Sequence, residues 1–338
     1  MNNDRSGKPR FHGSFGKFSR VTGMIVLGVM AGLVGRRAGA QTLYVSSDPQ
    51  SVYQVTSSGT SIFVSLTSTS LPTGLAFDEG GNLYVAENNL GEIAKVTMGG
   101  SASLFATLPS GALPLELTNG GGGVFYTVDA AHEQIDQITA SGSASVFATI
   151  AGVGRINGVA VDSIGNLYIA GLNNSTVYKI TTSGIATVLA TLPANVQPTE
   201  LACDADNNVY VSEENPAQIA RITPAGKSSV FAVLPTGTGP KGLAFDSNGN
   251  LYVAGNNTSE ILKVSPNGHT ITTFESGIPN PQFIAIQTPS EPSSTLVAGE
   301  GQCGRSSRRR DPGGCGAGGN RCGGGRGVSC DGYQQEHA

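Results

Sequence analysis

The chain has 338 residues, with 48 glycines, no tryptophan and few charged side chains, and it is long enough to bury a large core. Residues 41–299 hold seven basic and 19 acidic side chains, a net charge of −12, which argues against nucleic acid as a partner. Of the five cysteines only Cys203 lies in this part of the chain, so an internal disulfide framework is excluded there.

Residues 1–40 have the pattern of an export signal. Basic residues precede the apolar run Met24–Gly35, and Ala38-Gly39-Ala40 matches a small-residue cleavage site. The apolar run is shorter than a helix that spans a bilayer. We therefore predict a signal peptide over 1–40, a secreted or cell-envelope location, and a mature chain without a transmembrane segment. A buried helix or an uncleaved anchor is the alternative interpretation.

A motif marked by an apolar residue followed by tyrosine recurs along the body. Its six copies are Leu43-Tyr44, Leu83-Tyr84, Phe125-Tyr126, Leu167-Tyr168, Val209-Tyr210 and Leu251-Tyr252, spaced by 40 residues once and by 42 thereafter. In the second copy, two strand-like runs joined by a turn fill residues 74–87, and two more follow at 92–96 and 102–106. Four strands in about 42 residues is typical of a propeller blade.

The two ends of the repeat array complement each other. The first copy begins at Leu43 and lacks the strand that precedes the marker pair in later copies. After the sixth copy, residues 281–286 align with that missing strand, as represented by 72–77 and 240–245. We predict an all-β, six-bladed β-propeller over 41–287, with four antiparallel strands per blade. The C-terminal strand completes the first blade and closes the ring.

The pattern Gly-Leu-Ala-Phe-Asp followed by Gly-Asn-Leu-Tyr-Val-Ala, at residues 74–86 and 242–254, resembles NHL-repeat propellers. It also resembles the related gluconolactonase and senescence-marker-protein superfamily, over roughly residues 43–287. The resemblance implies the fold and says little about function, because one fold hosts many functions.

At the end of a propeller of this type where the innermost strand begins and the second strand ends, the copies differ from one another. The innermost strand begins there with Thr73, Leu115, Asn157, Thr199, Lys241 and Gln282, followed by Gly74, Glu116, Gly158, Glu200, Gly242 and Phe283. The second strand ends there with Ser47, Glu87, Asp129, Gly171, Glu213 and Gly255. We call the first two sets the mouth positions.

Residues that break an internal repeat are not required by the fold, so this end is the predicted ligand face. The candidates are Glu87, Glu116, Asp129, Asn157, Glu200, Glu213 and Lys241. Five carboxylates brought towards one end of the channel would suit a hard cation or a cationic ligand. A solvated acidic rim is the alternative.

The resemblance to gluconolactonases implies a divalent-metal site. Those enzymes hold one metal with a Glu, two Asn and an Asp, and the segment Arg155-Ile-Asn157-Gly158 resembles their Asn-Gly ligand segment. Thr199-Glu200 stands where an Asp-Gly is expected, so the implied ligands are Asn157 with Glu116 and Glu200 as substitutes. Calcium or another divalent cation is the cofactor that this implies.

Three further sequence features concern the turns, the histidines and the C-terminal tail. The Asp-x-x-Gly-Asn turns, such as Asp78 to Asn82, are predicted to have a structural role. The segment Asp204–Asn208 resembles a calcium loop, but it lacks the downstream Glu of an EF-hand.

The acid–base chemistry of antibiotic-lyase propellers would require His132 and His269 to lie close together, and their positions in the repeat predict that they do not. Residues 289–295 resemble the start of a PEP-CTERM sorting signal, and the Gly/Arg/Cys-rich tail over 288–338 is predicted to be disordered.

Two functional hypotheses follow from these patterns. The first is an exported, monomeric binding or scaffold module that takes a small molecule, glycan or protein ligand at the channel mouth. The alternative is a divalent-metal-dependent hydrolase of the lactonase type with an atypical ligand set. Neither hypothesis calls for a cofactor other than calcium or another divalent cation.

Overall fold

The structure is a computed structural model that describes residues 41–47, 49–194 and 196–287. The predicted signal peptide, the sorting-signal resemblance and the predicted disordered tail lie outside the described residues. Within them, no helix has the length and apolarity needed to cross a membrane.

The described chain forms six sheets of four antiparallel strands, which confirms the predicted blades. Blade 1 consists of β1 Thr42–Ser47, β2 Ser51–Thr56, β3 Gly59–Ser65 and β24 Pro281–Gln287. Blade 2 consists of β4 Pro72–Phe77, β5 Leu83–Glu87, β6 Glu92–Val96 and β7 Ala102–Thr107, with a short 3₁₀ turn at Asn88–Leu90. Blade 3 consists of β8 Pro114–Gly121, β9 Val124–Asp129, β10 Gln134–Ile138 and β11 Ala144–Thr149.

The second half of the ring repeats this order. Blade 4 consists of β12 Ile156–Val161, β13 Leu167–Gly171, β14 Thr176–Ile180 and β15 Ala186–Thr191. Blade 5 consists of β16 Pro198–Cys203, β17 Val209–Glu213, β18 Gln218–Ile222 and β19 Ser228–Val233. Blade 6 consists of β20 Pro240–Phe245, β21 Leu251–Gly255, β22 Glu260–Val264 and β23 Ile271–Ser276.

The ring closes through the C-terminal strand, as predicted. Strand β24 pairs antiparallel with β1, with Leu43 opposite Ile286 and Val45 opposite Ile284. It also lies against β20 of blade 6 and β4 of blade 2, so the last strand of the chain becomes the innermost strand of the first blade. The six innermost strands, β24, β4, β8, β12, β16 and β20, surround the central channel.

Apolar clusters between neighbouring blades hold the ring together. Successive side chains of a strand point to opposite faces, so each blade offers one apolar face to each neighbour. Tyr84 of blade 2 packs with Leu117 and Phe125 of blade 3, and Leu43 of blade 1 packs with Tyr252 of blade 6. The core is therefore a ring of inter-blade layers around the channel.

The marker tyrosine and the Asp–Asn turn form one local network in each regular blade. In blade 4 the hydroxyl of Tyr168 donates to Oδ2 of Asp162 at 3.0 Å, and the backbone and side-chain amides of Asn166 donate to the same carboxylate at 2.8 Å. In blade 5 the ring of Tyr210 packs edge-to-face on Phe231, 4.9 Å between centroids. These contacts support the structural interpretation of the turns, because the carboxylate binds its own turn and strand.

Candidate functional site

A β-bulge occurs at the same place in the innermost strand of every blade. In blade 2, Pro72 lies opposite Glu87 and Leu75 lies opposite Val85, so two residues of β4 face a single residue of β5. The same two-against-one register recurs in the five other innermost strands. The extra pairs are the mouth positions, where the sequence copies differ. Since a bulge releases residues from regular pairing and re-aims their side chains, it frees these positions for other contacts.

Glycine alternates with a larger residue around the second mouth position. A Cβ on Gly74 would lie 2.2 Å from the backbone nitrogen of Leu117, and one on Gly158 would lie 2.5 Å from Oε2 of Glu200. A Cβ on Gly242 would lie 2.6 Å from Cα of Phe283. Gly158 thus leaves room for the side chain of Glu200, and Gly74 and Gly242 let the backbone of the next innermost strand approach closely at Glu116 and Phe283.

The carboxyl groups of Glu116 and Glu200 form a hydrogen-bonded pair inside the channel. Burial raises the pKa of Glu116 well above its usual value, and repulsion by Glu200 adds to the rise. Burial raises the pKa of Glu200 to about 8, although the hydrogen bond from Glu116 and the charge of Lys241 act in the opposite direction. Glu200 is only 4% exposed, and no amide or hydroxyl group donates to the shielded Oε2 of Glu116. The pair is therefore largely protonated at neutral pH.

Above this pair lies a cavity of about 180 Å³ at the channel mouth. All six innermost strands or the residues just before them contribute to its lining, which consists of Leu71, Pro72, Thr73, Leu115, Arg155, Asn157, Thr199, Glu200, Lys241, Gln282 and Phe283. At roughly 30 Å³ per water, this volume corresponds to about six waters, so the cavity is large enough for a small molecule or for one end of a larger one.

Three of the seven predicted site residues, Asn157, Glu200 and Lys241, line this cavity, and Glu116 joins them through Glu200. The hydroxyl groups of the mouth threonines, Thr73 and Thr199, form hydrogen bonds that stabilise the fold. The hydroxyl of Thr73 donates to the carbonyl of Pro114 at 3.1 Å, and that of Thr199 donates to the carbonyl of Pro240 at 3.1 Å. Each hydroxyl thus ties one innermost strand to the next blade.

The structure does not bring the other three predicted carboxylates to this cavity. Asp129 is fully buried and accepts hydrogen bonds from the backbone amides of Leu113 and Ala131 and from the side chain of Gln134. The expectation that five carboxylates converge is wrong, because the second strand ends with its side chains turned towards blade interfaces.

Glu87 and Glu213 illustrate this orientation. Glu87 borders a depression between blades 1 and 2 that Leu66 also lines, and Glu213 accepts a hydrogen bond from Gln218 of its own blade. Burial raises the pKa of both carboxyl groups. Both carboxyl groups therefore border depressions separate from the mouth cavity.

The implied metal ligands Asn157, Glu116 and Glu200 offer fewer charged oxygen donors than a divalent cation needs. Calcium takes six to eight oxygen ligands, several of them ionised carboxylates. Here Glu116 and Glu200 are largely protonated, Asn157 adds one amide oxygen, and the cations Arg155 and Lys241 line the same cavity. Among the described residues, no group of three or more His, Cys, Asp or Glu side chains is placed to hold a metal ion. This donor set does not fit a divalent cation.

Two histidines belong to the described chain, and they lie at opposite ends of the propeller. His132 follows β9 at the mouth end and contacts Asp129, which together with Asp136 raises its pKa. His269 lies in the turn between β22 and β23, at the far end of blade 6. They cannot act on one substrate together.

Sequence reasoning missed part of the lining, namely Arg155, Leu71 and Pro72. Arg155 precedes β12 by one residue, and the signal for it was its position beside Asn157 in a body with few basic residues. Leu71 and Pro72 read as ordinary strand-start residues, because prolines recur at that position in other copies.

Comparison with known proteins identifies a matching family model and solved structures with the same fold. The model of a family described as a repeat of unknown function, DUF6923, matches residues 122–299. No curated protein matches the chain. Among solved structures, a chain of the nidogen/laminin complex aligns with a TM-score of 0.64 and 16% identity, covering 75% of this chain and 100% of that one.

Two enzymes also share the architecture. Virginiamycin B lyase from Staphylococcus aureus aligns with a TM-score of 0.59 and 18% identity, covering 74% of this chain and 89% of the lyase chain. A gluconolactonase from Xanthomonas campestris aligns with a TM-score of 0.52 and 17% identity, covering 64% and 84% respectively. At these identities the similarity shows the six-bladed fold alone, and that fold is found in binding modules as well as enzymes.

Proposed function

We propose that this chain, which belongs to the DUF6923 repeat family, is an exported binding module whose ligand occupies the channel-mouth cavity. One observation carries the proposal: every blade bulges at the two positions where the repeat sequence varies, and the first of the two lines the cavity in all six blades, joined by Glu200 and Phe283 from the second. A fold that needed only stability would keep these positions as uniform as its Asp–Asn turns. The proposed export is supported by the signal-like pattern of residues 1–40.

Unused polar groups at the mouth support a binding role. In the described structure, no hydrogen bond occupies the side-chain amides of Asn157 and Gln282, although both line the cavity. Polar groups that converge on a small, partly apolar cavity are the usual features of a ligand site. The hydrolase alternative lacks a comparable observation, because the donor set does not fit the metal that it requires.

A single-tryptophan reporter tests the proposal. The chain contains no tryptophan, so Leu71→Trp places one fluorophore in the cavity lining. The control is Met98→Trp, at a side chain 69% exposed beside the turn of Gly81, at the other end of the blade. Each variant would be titrated with calcium chloride, sodium benzoate, benzylammonium chloride and glucose.

We expect at least one of these probes to change the emission of Leu71→Trp saturably and to leave Met98→Trp unchanged. A linear or absent response of Leu71→Trp to all four probes would overturn the binding proposal. An equal response of both variants would also count against it, because binding would then not be confined to the mouth.

A further inference from the structure

The apolar side chains that line the channel-mouth cavity come from blades 1 to 3, together with Thr73 and Gln282, whereas both of its cations come from blades 4 and 6. Leu71 and Pro72 of the blade 2 segment and Leu115 of blade 3 line one side, and Phe283 of blade 1 continues it. Arg155 and Asn157 of the blade 4 segment and Lys241 of blade 6 line the other. A ligand that fills the whole cavity must therefore carry both an apolar part and a polar part.

The side of the cavity with the cations offers mainly hydrogen-bond donors. In the part of the chain that the structure describes, no carboxylate pairs with the exposed Arg155. Lys241 lies 3.8 Å from Glu214, and this half-exposed pair is weakened by solvent. Arg155 presents a planar fork of N–H groups that matches a carboxylate, and the amide of Asn157 adds a further donor.

The acidic groups of the channel do not cancel these cations. Glu200 lines the cavity, but burial raises the pKa of Glu200 and of its partner Glu116, so the pair is largely protonated at neutral pH. Glu87, Asp129 and Glu213 lie outside the cavity lining. Among the described residues Arg155 is thus a cation of the mouth without a carboxylate partner, although residues 41–299 as a whole carry a charge of −12.

From this arrangement, and resting on the proposed function of the mouth as a ligand site, we infer that the ligand is a small organic carboxylate with an apolar tail. Its carboxylate binds Arg155 and Lys241, and its tail packs on Leu115 and Phe283. A free organic acid and the acidic end of a larger molecule share this chemistry. The size of the cavity limits the bound part to a single ring or a short chain.

Three probes of one shape and different charge test the ligand class. Benzoate, benzamide and benzylammonium share a ring and differ in carrying a negative, no or a positive charge. Isothermal titration of the full chain should give the tightest binding for benzoate, weaker binding for benzamide and none for benzylammonium. The loss of affinity from benzoate to benzamide should be about tenfold or more, as for a charge-assisted bidentate pair.

Two variants and a matched control locate the site. Arg155→Gln and Lys241→Gln should each weaken benzoate binding, Arg155→Gln by about tenfold or more, and should leave benzamide nearly unchanged. Lys227→Gln removes the same charge from an exposed turn away from the cavity and should change neither. Thermal midpoints of the three variants establish that each is folded.

The outcomes separate this inference from the proposed function. If calcium or benzylammonium saturates the Leu71→Trp reporter and benzoate does not, the ligand class is wrong and the mouth is still a binding site. If benzoate binds equally well to Arg155→Gln and to the unchanged chain, the assignment of the carboxylate to this side of the mouth is overturned. If no probe affects the reporter, both proposals fail.

Discussion

Glu116 of blade 3 and Glu200 of blade 5 lie on either side of Gly158 of blade 4, whose missing Cβ leaves room for Glu200, and their carboxyl groups form a hydrogen bond inside the channel. The relationship explains why a channel mouth with two glutamates is not a cation site. Desolvation disfavours two adjacent negative charges, so the pair retains a proton. Two residues that suggest a metal in the sequence thereby become neutral hydrogen-bonding groups in the fold.

The pair predicts a pH-dependent stability. Burial raises the pKa of Glu200 in the folded chain to about 8, so between about pH 4.5 and about pH 8 the folded chain binds more protons than the unfolded chain. The free energy of unfolding therefore falls as the pH rises from about 4.5 to about 8. Glu200→Gln removes this loss and should therefore raise the thermal midpoint at pH 8, with no gain at pH 4.5. Each kcal/mol of free energy of unfolding that is regained corresponds to a rise of about 2–4 °C.

Glu79→Gln serves as the control for that measurement. Glu79 is exposed, and glutamine can still accept the hydrogen bond that Gly122 donates to it. Midpoints of the two variants and the unchanged chain would be recorded by circular dichroism between pH 4.5 and 8.5. Parallel curves for Glu200→Gln and Glu79→Gln would contradict the raised pKa of Glu200.

Asp129 is expected to be a structural residue. It is fully buried, and Asp129→Ala leaves the backbone amides of Leu113 and Ala131 without their 3.0 Å acceptor. We expect a loss of about 2–4 kcal/mol in the free energy of unfolding, measured by urea titration. The exposed Asp206→Ala should cost much less. Benzoate affinity should be unchanged in Asp129→Ala, and a selective loss of that affinity would return Asp129 to the ligand face.

Removal of the closing strand should be severe. Phe283 and Ile284 of β24 are 8% and 6% exposed, and burying each side chain is worth about 1.5–3 kcal/mol. A domain has a net stability of only about 5–15 kcal/mol, so a chain ending at Gly277 should unfold or open, exposing the free edge of β1. A chain ending at Pro289 keeps β24 and should melt like the full chain. Equal midpoints for the two truncations would disprove this account of closure.

Lactonase turnover is expected to be absent. Glu116 and Glu200 are largely protonated, and Asn157 lines the same cavity as Lys241, so added calcium, manganese or zinc should not produce hydrolysis of glucono-lactone above the uncatalysed rate. The measurement is a pH-stat assay with Asn157→Ala as the control. Metal-dependent turnover that disappears in Asn157→Ala would establish the hydrolase and displace the binding module.

Export should leave a defined N-terminus. The signal-like pattern of residues 1–40 predicts cleavage after Ala40 and a mature chain that begins with Gln41. N-terminal sequencing of the protein from envelope and secreted fractions tests the prediction. A protein recovered with Met1 intact would contradict it.

The six-bladed fold could be read from the sequence because a propeller repeats its local chemistry. The marker pair of an apolar residue and tyrosine recurs in every blade, and the Asp–Asn turn with its local hydrogen bonds recurs in four, those of Asp78, Asp162, Asp204 and Asp246. Closure by residues 281–286 was also visible, because the first copy lacks a strand that the chain supplies at its end. Periodic, local interactions leave a periodic pattern that a single sequence displays.

The character of the mouth was decided by tertiary structure. From sequence, Glu87, Asp129 and Glu213 looked equivalent to Glu116 and Glu200, since all are carboxylates at the same end of the repeat. The bulges separate the two sets, because they re-aim the innermost-strand residues towards the channel while the second strands keep their side chains between blades. Burial then determines the charge of Glu116 and Glu200, and desolvation depends on neighbours that only the closed ring brings together.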